Sequence, residues 1–481
     1  MDRKNVLLIC ADEWPGQLLG CAGHPVVMTP TIDALATHGM RYTNYYSECP
    51  VCIPARRCMM TGLSPKTHGD RVYSDHMEMP DVISLAQSFR DAGYQAYGVG
   101  KLHVYPQRSR VGFDDVILME EGRYEFGVVD DYQVALGRQG VVGQEFGHGM
   151  GNNVYLTRPW HLPENLHPTV WATSQMVDEI KRRDPTKPCF FFMSYQFPHP
   201  PLVPLPVFED MYDIDEIPEP HVGDFLDNRF IFRTMMGDAA PYSHKEMLRA
   251  KRAFYAQCSL IDNQIRLLIG TLRECNMLDD TILIFTSDHG DMLFEQHMVA
   301  KRTFYEPSAK VPLIISGTGI PKEMRGTDNR LGTIADLMPT LLQLCNISIP
   351  STVEGISLVD KETHSSIYGE IGEGERATRM VRKGKWKLIY YPVGNIIQLF
   401  DIEHDPYEEH DVAKKQEEVV DELKIILMEH FYGSDFRYVK NGLLVGLPEP
   451  GKSSKKEDFG LYNQRGLHWP PPAGYSNLGK T

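Results

Sequence analysis

Long apolar runs are missing from this chain. No stretch reaches the roughly eighteen consecutive apolar residues that a membrane-spanning helix needs. The first apolar run, residues 6–11, stops at Asp12 and Glu13, too soon for the core of a signal peptide. The expectation is a cytoplasmic protein without a membrane partner, or a periplasmic or secreted one if a signal peptide was removed. A basic excess is missing too. Lys and Arg number 49 against 64 Asp and Glu, a net charge of −15, so no nucleic-acid partner is expected. An anionic small substrate is not excluded, because a local site can oppose the net charge. The nine cysteines are odd in number and have no regular short spacing. Cys49, Cys52 and Cys58 crowd together, but no matching Cys/His pair follows at zinc-ribbon spacing, and the thiols read as reduced. Internal repeats are absent.

What is present is an ordinary globular composition, 42% hydrophobic and 23% charged over 481 residues, enough for one large core and a smaller one. Apolar runs at 6–11, 94–99, 189–195 and 281–286 read as strands buried on both faces, with a further strand at 311–316. Amphipathic segments at 30–39, within 79–93, at 173–183 and at 243–275 read as helices between them. The expected fold is α/β, a mostly parallel sheet with helices on both faces. Residues 105–175 are irregular and read as insertions shaping a pocket, where Arg158, Trp160 and His161 either contact a sugar ring or pack a loop. From about 360 short strands recur at hairpin spacing, followed by a helix at 417–432. The expected division is a catalytic domain over 1–360 and a smaller antiparallel sheet-plus-helix subdomain with a tail over 361–481.

Residues able to do chemistry fall mostly at strand ends and helix starts. Asp12 and Glu13 end the first strand, where open α/β sheets bind ligands. Pro54 suits a first helical turn and Gly62 a C-terminal stop, so Cys52 sits at a helix N-terminus, which favours anions, with Arg56 one turn on. Lys101 and His103 are two apart, so an extended segment would turn both to one side. His199 is held between Pro198 and Pro200 after a strand. Asp288 and His289 end another strand, ahead of Gly290, and Lys301 follows.

The string Cys52-Ile53-Pro54-Ala55-Arg56, followed by Thr61-Gly62, resembles the signature of the type I sulfatases of the alkaline phosphatase superfamily. Gly100-Lys101-Leu102-His103, the His199 element, Asp288-His289 and Lys301 resemble further elements of that family, in the family's order. The resemblance runs from residue 5 to about 412. Glu13 departs from it: the family has Asp-Asp where this chain has Asp12-Glu13. The resemblance implies that a maturation enzyme converts Cys52 to formylglycine. It implies one divalent cation, Ca2+ by the family's habit with Mg2+ or Mn2+ as alternatives, held by Asp12, Asp288, His289 and residue 52, with Glu13 a further candidate. Lys101 and Lys301 then contact sulfate, and Arg56 steadies the formylglycine. His103 is the base that lets sulfate leave, and His199 protonates the departing alcohol. The implied activity is hydrolysis of a sulfated saccharide or small sulfate ester. The alternatives are a phosphonate monoester hydrolase or phosphodiesterase of the same superfamily, and a non-catalytic binder of sulfated glycans with unmodified Cys52.

Overall fold

A computed structural model describes residues 4–122, 128–225, 242–360 and 362–448. Its centre is β1 (Asn5–Asp12), whose alternating side chains split the core in two. Val6, Leu8 and Cys10 point into one apolar cluster and Leu7, Ile9 and Ala11 into another, the period of two that a strand imposes. The sheet continues through β2 (Met40–Tyr46), β3 (Gln95–Gly100), β4 (Asp115–Leu118), β5 (Cys189–Pro198), β6 (Thr281–Ser287), β7 (Leu313–Gly317) and β8 (Gly326–Thr333). Spatial order is β4-β3-β5-β1-β6-β7-β2-β8. All neighbours are parallel except β7, which runs against both β6 and β2.

Helices cover both faces. The Leu7 side carries α1 (Pro30–His38), α4 (Asp131–Arg138), α5 (Pro168–Arg182) and the 31-residue α6 (His244–Glu274). The Val6 side carries α2 (Cys52–Thr61), α3 (Leu85–Asp91) and α7 (Leu337–Leu344). Helix α6 starts at Ser243, whose side chain and that of Glu246 form a reciprocal capping box. The antiparallel β7, the edge strand β8 and the helix α4 depart from the sequence expectation. β8 is half exposed and polar at its start, so it carries no buried-strand pattern. None of the described helices is long and apolar enough to cross a membrane.

A second sheet, of order β12-β11-β10-β9, is built from β9 (Ile367–Ile371), β10 (Thr378–Lys383), β11 (Trp386–Tyr391) and β12 (Ile396–Asp401), all antiparallel. One face, with Met380, Ile389 and Phe400, packs on Tyr46, Val51, Phe304 and Tyr305 of the large domain. The other, with Val381, Leu388 and Leu399, packs on α8 (Glu417–Glu429) through Val420, Leu423 and Leu427. The tail residues Lys452–Lys456, Arg465, His468 and Trp469 lie outside the described residues.

Candidate active site

Strands β3, β5, β1 and β6 are neighbours and parallel, so their carboxyl ends share one edge. Lys101, His199, Asp12 with Glu13, and Asp288 with His289 lie at these four ends. The fifth contribution is α2, entered from β2. Pro54 lies in its first turn, and Gly62 ends it in a left-handed conformation (φ 66°), its N–H donating to the Cys58 carbonyl at 2.8 Å. Every residue of α2 is buried, so Cys52 and Arg56 are held by packing on all sides.

Four ligand atoms, from Asp12, Cys52, Asp288 and His289, lie within 4.8 Å of one another. His289 Nδ1 is 2.9 Å from the Gly290 carbonyl, which can only accept, so Nδ1 carries the hydrogen. Its Nε2 lone pair then faces the cluster, 3.1 Å from Cys52 Sγ and 3.6 Å from Asp12 Oδ1. A backbone carbonyl fixing the far nitrogen of a histidine in this way is how metal-ligating imidazoles are oriented. Asp288 accepts from the Glu13 and His289 N–H groups at 3.2 and 2.9 Å and from Arg56 Nε at 2.9 Å. Two carboxylates, an imidazole nitrogen and residue 52 therefore fit a small divalent cation, and the oxygen share suits a hard one. Gly290 makes the turn feasible: a Cβ there would lie 2.0 Å from the Pro307 carbonyl oxygen.

Cations line the same pocket. Lys101 Nζ forms ion pairs with Asp12 and, at 2.6 Å, with Glu121, and lies 4.0 Å from Cys52 Sγ. Arg56 also donates to the Lys101 carbonyl at 2.7 Å and to Ser194 Oγ at 2.9 Å, and reaches Asp12 Oδ2 at 3.4 Å. Burial works to raise the pKa of Asp12, but Lys101 first, then His199, Arg56 and His289, hold it well below the usual carboxylate range. Burial, and then Asp12, push the Cys52 thiol up to about 12, against the pull of Lys101 and Lys301. Burial alone would lower Lys301, but Glu13 at 3.0 Å outweighs it and keeps the ammonium charged.

Glu13 adopts a left-handed φ of 69° and turns its carboxylate to Lys301 and to His199 Nε2, at 3.2 Å. His199 is neutral: Nδ1 donates to the Pro200 carbonyl at 2.6 Å and Nε2 accepts from Lys301 Nζ at 2.7 Å. Burial, then Lys301, depress its pKa to about 3. The segment at Lys101 and His103 is not the extended strand the spacing assumes: His103 has a φ of 60°, and its Nε2 lies 3.2 Å from Tyr73 Oη. Arg158, Trp160 and His161 pack a loop: Trp160 is buried and donates to the Pro163 carbonyl, and His161 bonds the Gln144 carbonyl at 2.8 Å.

Sequence reasoning missed Glu121, Ser194 and Tyr73, which stand beside the expected residues without a motif of their own. Asp291, next after Gly290 in the sequence, is a further such residue. It receives the Leu293 N–H at 2.7 Å, the Ala300 N–H at 3.1 Å and the Tyr155 hydroxyl, tying down the loop that presents Lys301.

A mostly parallel sheet that gathers a cation-lined, metal-competent cluster at its carboxyl edge, with a small antiparallel sheet docked beside it, defines the class: the alkaline phosphatase superfamily. Within that class the chain belongs to the sulfatase family, whose members are sulfuric ester hydrolases. The sulfatase family model matches residues 4–347, and the model of the N-sulphoglucosamine sulphohydrolase C-terminal region matches residues 295–431. The arylsulfatase of Clostridium perfringens is 34% identical over 472 residues, covering 93% of this chain and 98% of that protein. The choline-sulfatase of Rhizobium meliloti is 30% identical over 443 residues, covering 88% and 85%. The phosphonate monoester hydrolase of Agrobacterium radiobacter shares the fold, with a TM-score of 0.75 at 21% identity over 91% of this chain and 98% of that one. So does a protein solved in complex with its substrate D-glucosamine-2-N,6-O-disulfate, with a TM-score of 0.71 at 20% identity over 89% and 97%.

Proposed function

We propose that this enzyme hydrolyses a sulfate ester, on a sulfated saccharide or a small alcohol, using formylglycine formed from Cys52 and one divalent cation. The observation that carries the reading is the convergence of Asp12, Cys52, Asp288 and His289 within 4.8 Å, with the lysine ammonium of Lys101 4.0 Å from the residue-52 sulfur. A sulfate ester presents negative oxygens that such cations hold, and its cleavage needs a nucleophile aimed at sulfur and a proton for the leaving oxygen. Asp12, Asp288 and His289 would hold the cation, calcium by the oxygen-rich donor set, and it supplies charge neutralisation and a lower pKa for the nucleophilic hydroxyl. Formylglycine at position 52, installed by a maturation enzyme and hydrated by water to a geminal diol, would supply that hydroxyl and a second one whose loss of a proton expels sulfate and restores the aldehyde.

The chain's own residues do the rest. Arg56 bonds to Asp288, Ser194 and the Lys101 backbone and so fixes the start of α2 relative to β3 and β6. Lys101 neutralises sulfate from one side. Lys301 and His199, 2.7 Å apart, share a proton and stand as the donor to the leaving oxygen. His103, two residues from Lys101, is oriented by the Tyr73 hydroxyl as the base that assists release of sulfate.

One observation favours the second reading, a phosphonate monoester hydrolase. Glu13 is paired with Lys301 and His199, which leaves Asp12 as the single carboxylate that the end of β1 gives to the four-atom cluster. Parallel assays of matured enzyme on an aryl sulfate and the matching aryl phosphonate separate the two. A higher kcat/KM for the sulfate is expected. A higher value for the phosphonate, or no turnover of either by enzyme carrying formylglycine, overturns the reading.

A further inference from the structure

Arg302 stands apart from the other arginines around the site. Arg56, Arg57 and Arg71 are buried and bonded to carboxylates or carbonyls. The Arg302 side chain has no hydrogen bond or ion pair with any described residue, and its Nε is buried without a partner. Its guanidinium carbon lies over the Tyr73 ring, 5.3 Å from the centroid. Stacking on an aromatic face orients a guanidinium while leaving its N–H fork unspent. The backbone is committed as well. Arg302 adopts φ 73°, a conformation costly for a side-chain-bearing residue, and its N–H donates to the Pro50 carbonyl at 3.0 Å.

Its position gives this free cation a meaning. Arg302 follows Lys301 directly, and its N–H is tied two residues ahead of Cys52. Tyr73, beneath the guanidinium, bonds His103 through its hydroxyl at 3.2 Å, and His103 is two residues from Lys101. Arg302, Tyr73 and His103 thus form a contiguous row, the guanidinium over the Tyr73 ring and the Tyr73 hydroxyl on His103, whose ends are joined in the chain to Lys301 and to the Lys101 segment. A chain with net charge −15 offers many carboxylates, yet none among the described residues pairs with this guanidinium. An oriented, partly buried guanidinium with its donors open is matched by a planar or tetrahedral oxyanion.

We propose that Arg302, backed by Tyr73, binds a second anionic group, a carboxylate or a second sulfate, on the alcohol part of the substrate. This rests on the sulfate-ester reading above and narrows it: the preferred substrates carry two negative charges, one on the ester that is cleaved and one that is only recognised. Lys101 and Lys301 serve the first, and Arg302 serves the second.

The test uses a matched pair of esters, 3-(sulfooxy)benzoate and 3-(sulfooxy)benzamide, which differ in one negative charge at nearly constant shape. Dissociation constants are measured by calorimetry on the full-length Cys52→Ala protein with calcium, so that binding is read without turnover. The benzoate is expected to bind about tenfold more tightly than the benzamide at low salt, and added sodium chloride should shrink that ratio. In Cys52→Ala/Arg302→Gln the ratio should fall towards one, with Arg302→Lys intermediate because a point charge replaces the fork. A ratio of one in the parent, or a ratio that Arg302→Gln leaves unaltered, overturns the proposal. The ratio in the Cys52→Ala parent and its salt dependence decide the matter even if an Arg302 variant misfolds. Matured wild-type enzyme on the same esters reports on sulfate-ester hydrolysis separately: failure to release sulfate from either counts against that reading, while the binding ratio still decides the role of Arg302.

Discussion

Replacing Lys387 with Met should loosen the joint between the two sheets, and the loss should depend on pH. Lys387 lies on β11 with its ammonium fully buried between two carboxylates, 2.7 Å from Glu306 Oε1 and 2.5 Å from Glu408 Oε1. Glu306 also accepts from the Tyr46 hydroxyl at 2.9 Å, and its N–H donates to Glu408 Oε2 at 2.6 Å. Glu306 follows the loop that carries Lys301, so this cluster fixes the small sheet against the catalytic edge. Burial tends to raise Glu306, but Lys387, then Lys310 and Arg382, hold it down at about 2. Burial pushes Glu408 up to about 7 even with Lys387 pulling against it.

Methionine is near lysine in length but removes the charge and leaves two buried carboxylates facing each other. Breaking a buried pair from one side costs about 3–5 kcal/mol. The sign with pH follows from the protons bound. In the wild type a folded pKa for Glu306 below its ordinary value contributes stability above about pH 4.5, and that contribution is lost as pH falls through 2. Without Lys387 both carboxyls have raised folded pKa values, so folding takes up protons and stability is lost as pH rises. The destabilisation should therefore be larger at pH 8 than at pH 5.5, by about 2 kcal/mol for one extra proton. Urea unfolding followed by fluorescence and circular dichroism at the two pH values measures this, and adding Glu408→Gln should recover part of the loss at pH 8. An unchanged midpoint, or an equal loss at both pH values, would refute the reasoning.

Gly290→Ala should damage the metal cluster without touching a ligand, because the new Cβ would meet the Pro307 carbonyl at 2.0 Å. A loss of about 1–3 kcal/mol in stability and weaker calcium binding by calorimetry are expected, and wild-type calcium affinity would contradict the close-approach argument. Acid should unfold the protein through histidines remote from the cluster. Burial lowers His68 and His148 to about 4 and His167 to about 3, so each contributes stability above about pH 6.5 that is lost as pH falls towards those values. Melting temperature should drop between pH 7 and pH 5, and His167→Gln should flatten that slope.

The legible parts of the fold were those whose cause is local. The run at 6–11, the helix signals around Pro54 and Gly62 and the amphipathic period over 243–275 act over a few turns, and the structure follows them. Strands β4 and β8 were not legible, because an edge strand needs no continuous apolar pattern. The reversal of β7 leaves no trace in its own residues; its direction is decided by the neighbours β6 and β2. In the site, Asp12, Cys52 and Asp288 were readable because strand ends and a helix start deliver them to one edge. Glu121 was not, since its pairing with Lys101 depends on how the segment after β4 folds back. The backbone at His103 was not legible, because its φ of 60° takes the chain off the extended path that two-residue spacing assumes.

Sulfate release plotted against formylglycine occupancy at position 52 tests the account most directly. Preparations matured to different extents are assayed on one sulfate ester, and mass spectrometry of the residue-52 peptide gives the occupancy of each. The account predicts a straight line through the origin, with Cys52→Ala lying at zero while its circular dichroism and melting temperature stay close to those of the parent. Sulfate release by protein whose residue 52 is wholly cysteine, or by Cys52→Ala, would contradict it.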